Sequence, residues 1–101
     1  MASDQEEPMV RVFILYEREP DAERYARHEA EFGTKVPGAT FRHGKVFGNP
    51  FGEAEFAYYA EFEFPDMESF RAGSRSEEFV ASGKDAAEMG IPFKVHFAEV
   101  E

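Results

Sequence analysis

The chain has 101 residues, of which 16% are aromatic and none is cysteine, and its formal net charge is −10. This length is typical of one domain, and the absence of cysteine excludes disulfides, thiolate catalysis and thiolate metal sites. The large negative charge indicates that neither nucleic acid nor an anionic membrane surface is a partner, because both repel an acidic protein.

The first eight residues are polar and acidic, which predicts a flexible leader over residues 1–8. They contain no apolar segment of the kind that a signal peptide needs, and the apolar runs farther along are too short to span a bilayer. We therefore expect one domain over residues 9–101 in a soluble, cytoplasmic protein.

The first half of the chain predicts a strand, a helix and a second strand. Val10–Tyr16 is apolar at both alternating parities, which is typical of a central strand covered on both faces. Pro20-Asp21 begins a helix that we expect to run to about Lys35 before Pro37-Gly38 stops it. Residues 40–47 follow as the second strand.

The second half begins with a loop, GNPFGE at residues 48–53, because turn-forming residues dominate it. After it we predict a strand over Phe56–Phe64, helical starts at Asp66 and Ser76, and a last strand over Ile91–Val100.

The order β-α-β-β-α-β is that of the ferredoxin-like fold, an α+β architecture with a four-stranded antiparallel sheet and its helices on one face. The other face carries apolar side chains of the first strand, so we expect a homodimer through this open sheet face, in the form of a dimeric α+β barrel. That face is expected to present Tyr59, Glu61 and His96. Glu61 and Glu63 need partners there, and Arg11 and Lys94 are the candidates.

Five segments in this order resemble the EthD-like family. They are VRVFILYEREPD, KVPG, AYYAEFEFPDMESF, SEEFVASGKDAAEMG and FKVHFAEVE, and the resemblance covers residues 9–101. It implies a dimeric α+β barrel, and most members of the family have no assigned reaction. Related barrels include monooxygenases, polyketide cyclases and lactone isomerases. EthD-like chains commonly carry a histidine nine residues before the glycine of the Pro-Gly stop, where this chain has Glu29, with His28 one residue earlier.

The catalytic candidates are Glu29, His28 and His43. We place Glu29 near the middle of the apolar stripe of the first helix and His28 toward its edge. A carboxylate there is either a structural group bonded to a Tyr or Arg, or a general acid or base whose pKa is raised by burial. We expect it to point between helix and sheet, within reach of a Tyr or His. His43 shares a strand face with aromatic residues, which is also typical of a structural histidine.

The ligand-binding candidates are aromatic, namely Tyr16, Tyr25, Tyr58, Phe32 and Phe62. Rings and hydroxyls together can line a pocket for a phenol or ketone. The alternative is that each ring simply fills the core and each hydroxyl finds one partner.

No histidine has another at a chelating spacing, no glycine-rich phosphate loop or G-x-S-x-G motif occurs, and tryptophan is absent. We therefore predict no metal and no cofactor, haem included. The function that we predict is a cofactor-independent enzyme acting on a small hydrophobic or aromatic oxygenated compound, as an isomerase, cyclase, dehydratase or monooxygenase. The alternatives are a non-catalytic small-molecule binding or accessory protein, and an interaction platform.

Overall fold

The computed structural model describes residues 8–101, so the predicted leader lies outside the described residues except for Pro8. The described part contains four strands and three α-helices. They are β1 (Met9–Tyr16), α1 (Ala22–Glu31), β2 (Thr40–Lys45), β3 (Tyr58–Phe64), α2 (Met67–Ser74), α3 (Glu77–Glu88) and β4 (Phe93–Val100). None of these helices is both long enough and apolar enough to cross a bilayer.

The strands form one antiparallel sheet in the order β2-β3-β1-β4. β1 pairs on both sides, with Val12 opposite Phe62 of β3 and Phe97 of β4. This central position explains why β1 is apolar at both parities. The ferredoxin-like fold predicted from the sequence is confirmed.

The three helices begin where the sequence predicts. Asp21, Asp66 and Ser76 each accept a hydrogen bond, at 2.7–3.1 Å, from the backbone N–H three residues ahead. These N-caps satisfy helix donors that otherwise have no partner inside the helix.

The first helix is shorter than predicted: it ends at Glu31, and a short 3-10 helix covers Gly33–Lys35. Gly33 is buried, and a Cβ there would lie 2.7 Å from the ring of Phe41 on β2. Only glycine lets the backbone approach the sheet this closely, so the chain turns toward the sheet before Lys35.

Three strand boundaries also differ from those predicted from the sequence. β2 ends at Lys45 rather than residue 47, where the side chain of Phe47 is fully exposed. β3 begins at Tyr58 rather than residue 56. β4 begins at Phe93 because Pro92 has no N–H to donate to a neighbouring strand. The apolar residues just outside each strand made the sequence pattern look longer than the paired ladder.

The two faces of the sheet differ in cover. The helix-covered face carries Val12, Tyr16 and Phe62, all at most 2% exposed. The opposite face, which we call the open face, carries half-buried Phe13 and Leu15. The buried tyrosines therefore lie between sheet and helices, where the candidate site forms.

Candidate active site

A cavity of about 100 Å³ lies between α3 and the helix-covered face of the sheet. Its wall is mostly apolar, and its polar side chains come from three elements. The lining residues are Ile14, Tyr16, His28, Phe62, Phe79, Ser82, Gly83, Ala86, Phe93 and Val95. Val95 is 43% exposed, so the cavity lies close to the surface at the β4 edge.

His28 lies in the cavity wall and is bonded to a carboxylate on α3. Its Nδ1 is 2.7 Å from Oδ2 of Asp85, and the ring is only 2% exposed. Arg24, one turn earlier on α1, donates to both carboxylate oxygens of Asp85, at 2.7 and 3.0 Å. The carboxylate is thus fixed by two groups from α1, and it fixes the orientation of the imidazole in turn.

The electrostatics of this trio favour a neutral imidazole and an ionised carboxylate. Hydrogen bonds from Arg24, followed by the one from His28, lower the pKa of Asp85. Burial lowers the pKa of His28 below 6.5, and this desolvation outweighs the opposing effect of Asp85. Since an ionised carboxylate can only accept, Nδ1 carries the proton. Nε2 has no hydrogen-bond partner among residues 8–101.

Two tyrosine hydroxyls meet beside the cavity. The hydroxyl oxygens of Tyr16 and Tyr25 are 3.1 Å apart, and both rings are 1% exposed. Burial raises the pKa of each phenol, so both stay protonated at neutral pH. One hydroxyl donates to the other, and the acceptor keeps its own O–H for a further partner.

Glu29, His43 and Tyr58 form a separate chain outside the cavity. Oε1 of Glu29 is 3.0 Å from Nε2 of His43, and Nδ1 of His43 is hydrogen-bonded to the hydroxyl of Tyr58. None of the three lines the cavity. A catalytic role for Glu29 or His43 stays a prediction, whereas the expected contact between Glu29 and a His or Tyr is present.

The order of burial on α1 is the reverse of the one predicted. His28 is buried, whereas the side chain of Glu29 is 40% exposed. The apolar stripe predicted for this helix includes Ala22 and Ala26, yet both residues are exposed. A methyl group contributes little burial free energy, so the larger side chains Tyr25 and His28 decide which face of α1 packs inward.

The predicted ligand-binding residues do not all reach the cavity. Tyr16 and Phe62 line it. Tyr25 stacks behind His28, with ring centroids 5.0 Å apart, and Tyr58 lies 5.1 Å from Tyr25. Phe32 lines a separate surface groove at the end of α1. Their role in binding stays a prediction.

Sequence reasoning missed Arg24, Ser82 and Asp85. A usable signal exists on α3, where Ser82 and Asp85 occur on the same buried stripe as Phe79, Ala86 and Met89. Polar side chains on the inward stripe of a helix need partners. The partner of Asp85 is 57 residues away in sequence, so its identity required the fold.

The open face carries a compact group of charges. Arg11 and Arg42 both bridge Glu61 and Glu63, with Arg42 3.1 Å and Arg11 3.3 Å from Glu63. Arg11 is the partner expected from the sequence, and Arg42 was not foreseen. The two positive and two negative side chains cancel, so this patch of the open face is locally neutral.

No set of three or more His, Asp or Glu side chains in the described part of the chain is arranged to hold a metal ion. The polar groups at the cavity are single nitrogen and oxygen atoms from different elements. These groups can accept and donate hydrogen bonds, and the imidazole can also accept a proton.

No protein-family model matches this sequence, and no curated protein matches it. Solved structures do. An EthD family protein from Bacillus halodurans C-125 aligns with a TM-score of 0.70 at 28% identity, covering 92% of this chain and 99% of that one. The resemblance to the EthD family drawn from the sequence is thus confirmed.

Two further structures share the fold at lower identity. A dimeric ferredoxin-like protein of unknown function from Jannaschia sp. CCS1 has a TM-score of 0.69 at 19% identity, covering 91% of this chain and 99% of that one. A hydroxynitrile lyase from Passiflora edulis has a TM-score of 0.69 at 16% identity, and the alignment covers 93% of this chain and 94% of that one. In fold this chain is ferredoxin-like, and in fold and sequence together it resembles the EthD family.

Proposed function

We propose that this protein is a cofactor-independent enzyme that transfers a proton to and from a small hydrophobic, oxygenated molecule held in the cavity, with Nε2 of His28 as general base. One observation carries the proposal: a buried histidine in the wall of an apolar cavity uses its other nitrogen to bond Asp85. Histidine, carboxylate and cavity together are a recurrent arrangement for proton transfer.

The lone pair needed for this chemistry is on the correct nitrogen. Because Asp85 holds the proton on Nδ1, Nε2 is the nitrogen that can accept a proton. The lowered pKa of His28 keeps the ring neutral at pH 7, and Asp85 stabilises the imidazolium that forms when the proton arrives. Arg24 keeps Asp85 ionised and in place.

Tyr16 supplies the complementary group. When Tyr25 donates to Tyr16, the O–H of Tyr16 is left for an oxygen atom in the cavity that this residue lines. The α C–H bond of the bound molecule then breaks, its electron pair moves toward that oxygen, and the new N–H bond forms on His28. Return of the proton completes the cycle without an external reactant.

The size of the cavity limits the substrate. An engineered apolar cavity of about 150 Å³ accommodates benzene. The cavity here, about 100 Å³, takes a molecule smaller than benzene, or one end of a longer molecule that emerges beside Val95. The Passiflora edulis protein of this fold is a hydroxynitrile lyase, which supports the view that the fold accommodates chemistry on small molecules.

The test is hydrogen–deuterium exchange at the α carbon of nitroethane in D₂O, followed by proton NMR. Nitroethane has five heavy atoms and an α C–H far more acidic than that of a simple ketone. We expect the protein to accelerate exchange at pH 7, and we expect His28→Asn to reduce the catalysed rate by about 10²–10⁴-fold. Asparagine keeps an N–H near the Nδ1 position for Asp85 but offers no base at Nε2.

The control is Glu88→Gln, which removes an exposed titratable group of α3 outside the cavity wall and leaves exchange unchanged. If His28→Asn folds and exchanges nitroethane as fast as the unaltered protein, the proposal is wrong. If the protein binds nitroethane without accelerating exchange, the alternative of a passive small-molecule binder is correct instead.

We also propose that the protein is a homodimer through the open face. The half-buried Phe13 and Leu15 are left without a covering layer there, and the paired Arg and Glu side chains lower the cost of covering them. The dimeric protein from Jannaschia supports this assembly. Light scattering at micromolar concentration should give twice the chain mass of 11.5 kDa. The interface of such a dimer is expected to bury about 1,200 Å² or more in total. A monomeric mass would contradict it.

A further inference from the structure

The cavity wall contains a hydroxyl on α3 whose bonding is incomplete. Ser82 is 4% exposed and lies in the wall of the cavity. Its Oγ has no hydrogen bond to any residue from 8 to 101, and it is not among the atoms of these residues that are both buried and unbonded, so it is accessible from the cavity. A hydroxyl that faces a cavity with its bonding capacity unused can bond an oxygen atom of a ligand there.

A second hydroxyl comes from the opposite wall. Tyr16 is on β1 in the sheet, whereas Ser82 is on α3. Tyr25 occupies only one of the bonding positions on the Tyr16 oxygen. A ligand between α3 and β1 therefore meets one neutral hydroxyl on each side and, apart from the imidazole of His28, mostly apolar groups elsewhere.

From these two hydroxyls we infer that Ser82 and Tyr16 select a neutral molecule with a carbonyl or hydroxyl oxygen, and that Ser82 is a specificity-determining residue of the site. The inference rests on the proposed function for the cavity and names its substrate class. Ser82 binds the oxygen and does not exchange a proton with the α carbon.

The charges around the cavity select against ions. None of the ten lining residues is Asp, Glu, Lys or Arg. Asp85 is bonded to the far nitrogen of His28, and both terminal nitrogens of Arg24 bond Asp85. A carboxylate ligand would lose its hydration and gain no cationic partner, and it would also be repelled by Asp85.

The experiment compares three probes of equal heavy-atom count by NMR titration. They are 2-butanone, 2-methyl-1-butene, which replaces the carbonyl oxygen by a CH₂ group, and propionate, which is anionic. We expect 2-butanone to bind with a dissociation constant of about 1 mM, as suits a ligand of this size. The alkene should bind about 2–10-fold more weakly because it lacks the hydrogen bond, and propionate should not bind measurably.

The variant Ser82→Ala should reduce the preference for the ketone while leaving the affinity for the alkene unchanged, because only Tyr16 is then left to bond the carbonyl oxygen. Alanine is the best helix former, so α3 is retained. Ser74→Ala, on α2 and outside the cavity wall, is the control and should change neither affinity.

Each outcome has one meaning. Equal binding of ketone and alkene, or an unchanged preference in Ser82→Ala, overturns the inference and leaves the proposed function standing. Binding of propionate as tight as that of 2-butanone also overturns it. Absence of binding for all three probes overturns both, because the cavity then holds no ligand.

Discussion

The two faces of the sheet differ in the kind of polar group that they carry. On the helix-covered face, single polar atoms surround a cavity and several keep unused bonding capacity: Nε2 of His28, the hydroxyl of Tyr16 and Oγ of Ser82. On the open face, Arg11 and Arg42 bind Glu61 and Glu63 and cancel their charge. The first arrangement suits a ligand that completes the bonds, and the second suits a protein surface that covers the charges.

The cavity has a cost that makes this comparison informative. Space left between core side chains destabilises a protein, because the side chains around it lose packing contacts. Small domains have total stabilities of only about 5–15 kcal/mol. A small domain with this cavity and a buried histidine beside it is less stable than the same domain with the cavity filled by side chains. Such a loss of stability is typical of ligand-binding sites.

The largest expected effect is on the open face. Phe13→Glu should convert the proposed dimer to monomer, weakening association by about 10³-fold or more, because a charge without a partner would be buried between two sheets. Light scattering over a dilution series measures it. Val80→Glu, on the exposed side of α3, is the control and should leave the mass unchanged. A dimer that persists in Phe13→Glu would show that this face is not the interface.

The next effect is on the polar trio of the helix-covered face. Asp85→Asn should lower the free energy of unfolding by about 2–3 kcal/mol, since Arg24 and His28 lose a charged acceptor in a largely buried place. Urea unfolding measures the change. Glu88→Gln, exposed on the same helix, should stay within about 0.5 kcal/mol of the unaltered protein. A loss of similar size in both variants would contradict the account of Asp85.

Filling the cavity should stabilise the protein. Ala86→Val adds two carbon atoms to the cavity wall, a gain of about 1.6 kcal/mol of burial against about 0.5 kcal/mol of lost helix propensity. We expect the melting temperature to rise by about 4–8 °C and 2-butanone binding to be lost. Ala87→Val, at the neighbouring exposed position, should lower the melting temperature slightly. A destabilised Ala86→Val would mean that the space beside Ala86 is not empty in solution, and intact 2-butanone binding in this variant would mean that the ketone binds elsewhere.

The smallest effect is the pH dependence of stability. The pKa of His28 is lowered by burial, so the unfolded chain takes up a proton at higher pH than the folded one. This contribution to stability is complete above pH 6.5 and decreases as pH falls from there toward the folded-state pKa. Urea midpoints from pH 8 to 5 should show this decrease, and His28→Asn should reduce it. The same pH dependence in His28→Asn as in the unaltered protein would contradict the lowered pKa of His28.

The fold was predictable because each element carries its own signal. The two-sided apolar β1 and the caps at Asp21, Asp66 and Ser76 are local features of the sequence, and each corresponds to an element or boundary of the structure. Strand ends were less predictable, since apolar residues such as Phe47 continue past the last paired residue.

The site was predictable only in part. His28 and Tyr16 were identifiable as candidates from their residue types. Which face of α1 packs against the sheet, however, is decided by its large side chains and not by its alanines. Asp85 and Ser82 become meaningful only when α3 is packed against α1 and the sheet. Contacts between residues so distant in sequence depend on how the helices pack together. The hydrophobic periodicity of a single helix carries no information about that packing.

The central claim is that Nε2 of His28 is an unprotonated base facing the cavity, and long-range ¹H–¹⁵N NMR of the histidine rings tests it most directly. At pH 7 we expect His28 to show a protonated Nδ1 and an unprotonated Nε2, and we expect the Nε2 resonance to move on addition of 2-butanone while His96 stays unchanged. A ring protonated at Nε2, or an Nε2 resonance unaffected by bound ketone, would contradict the account.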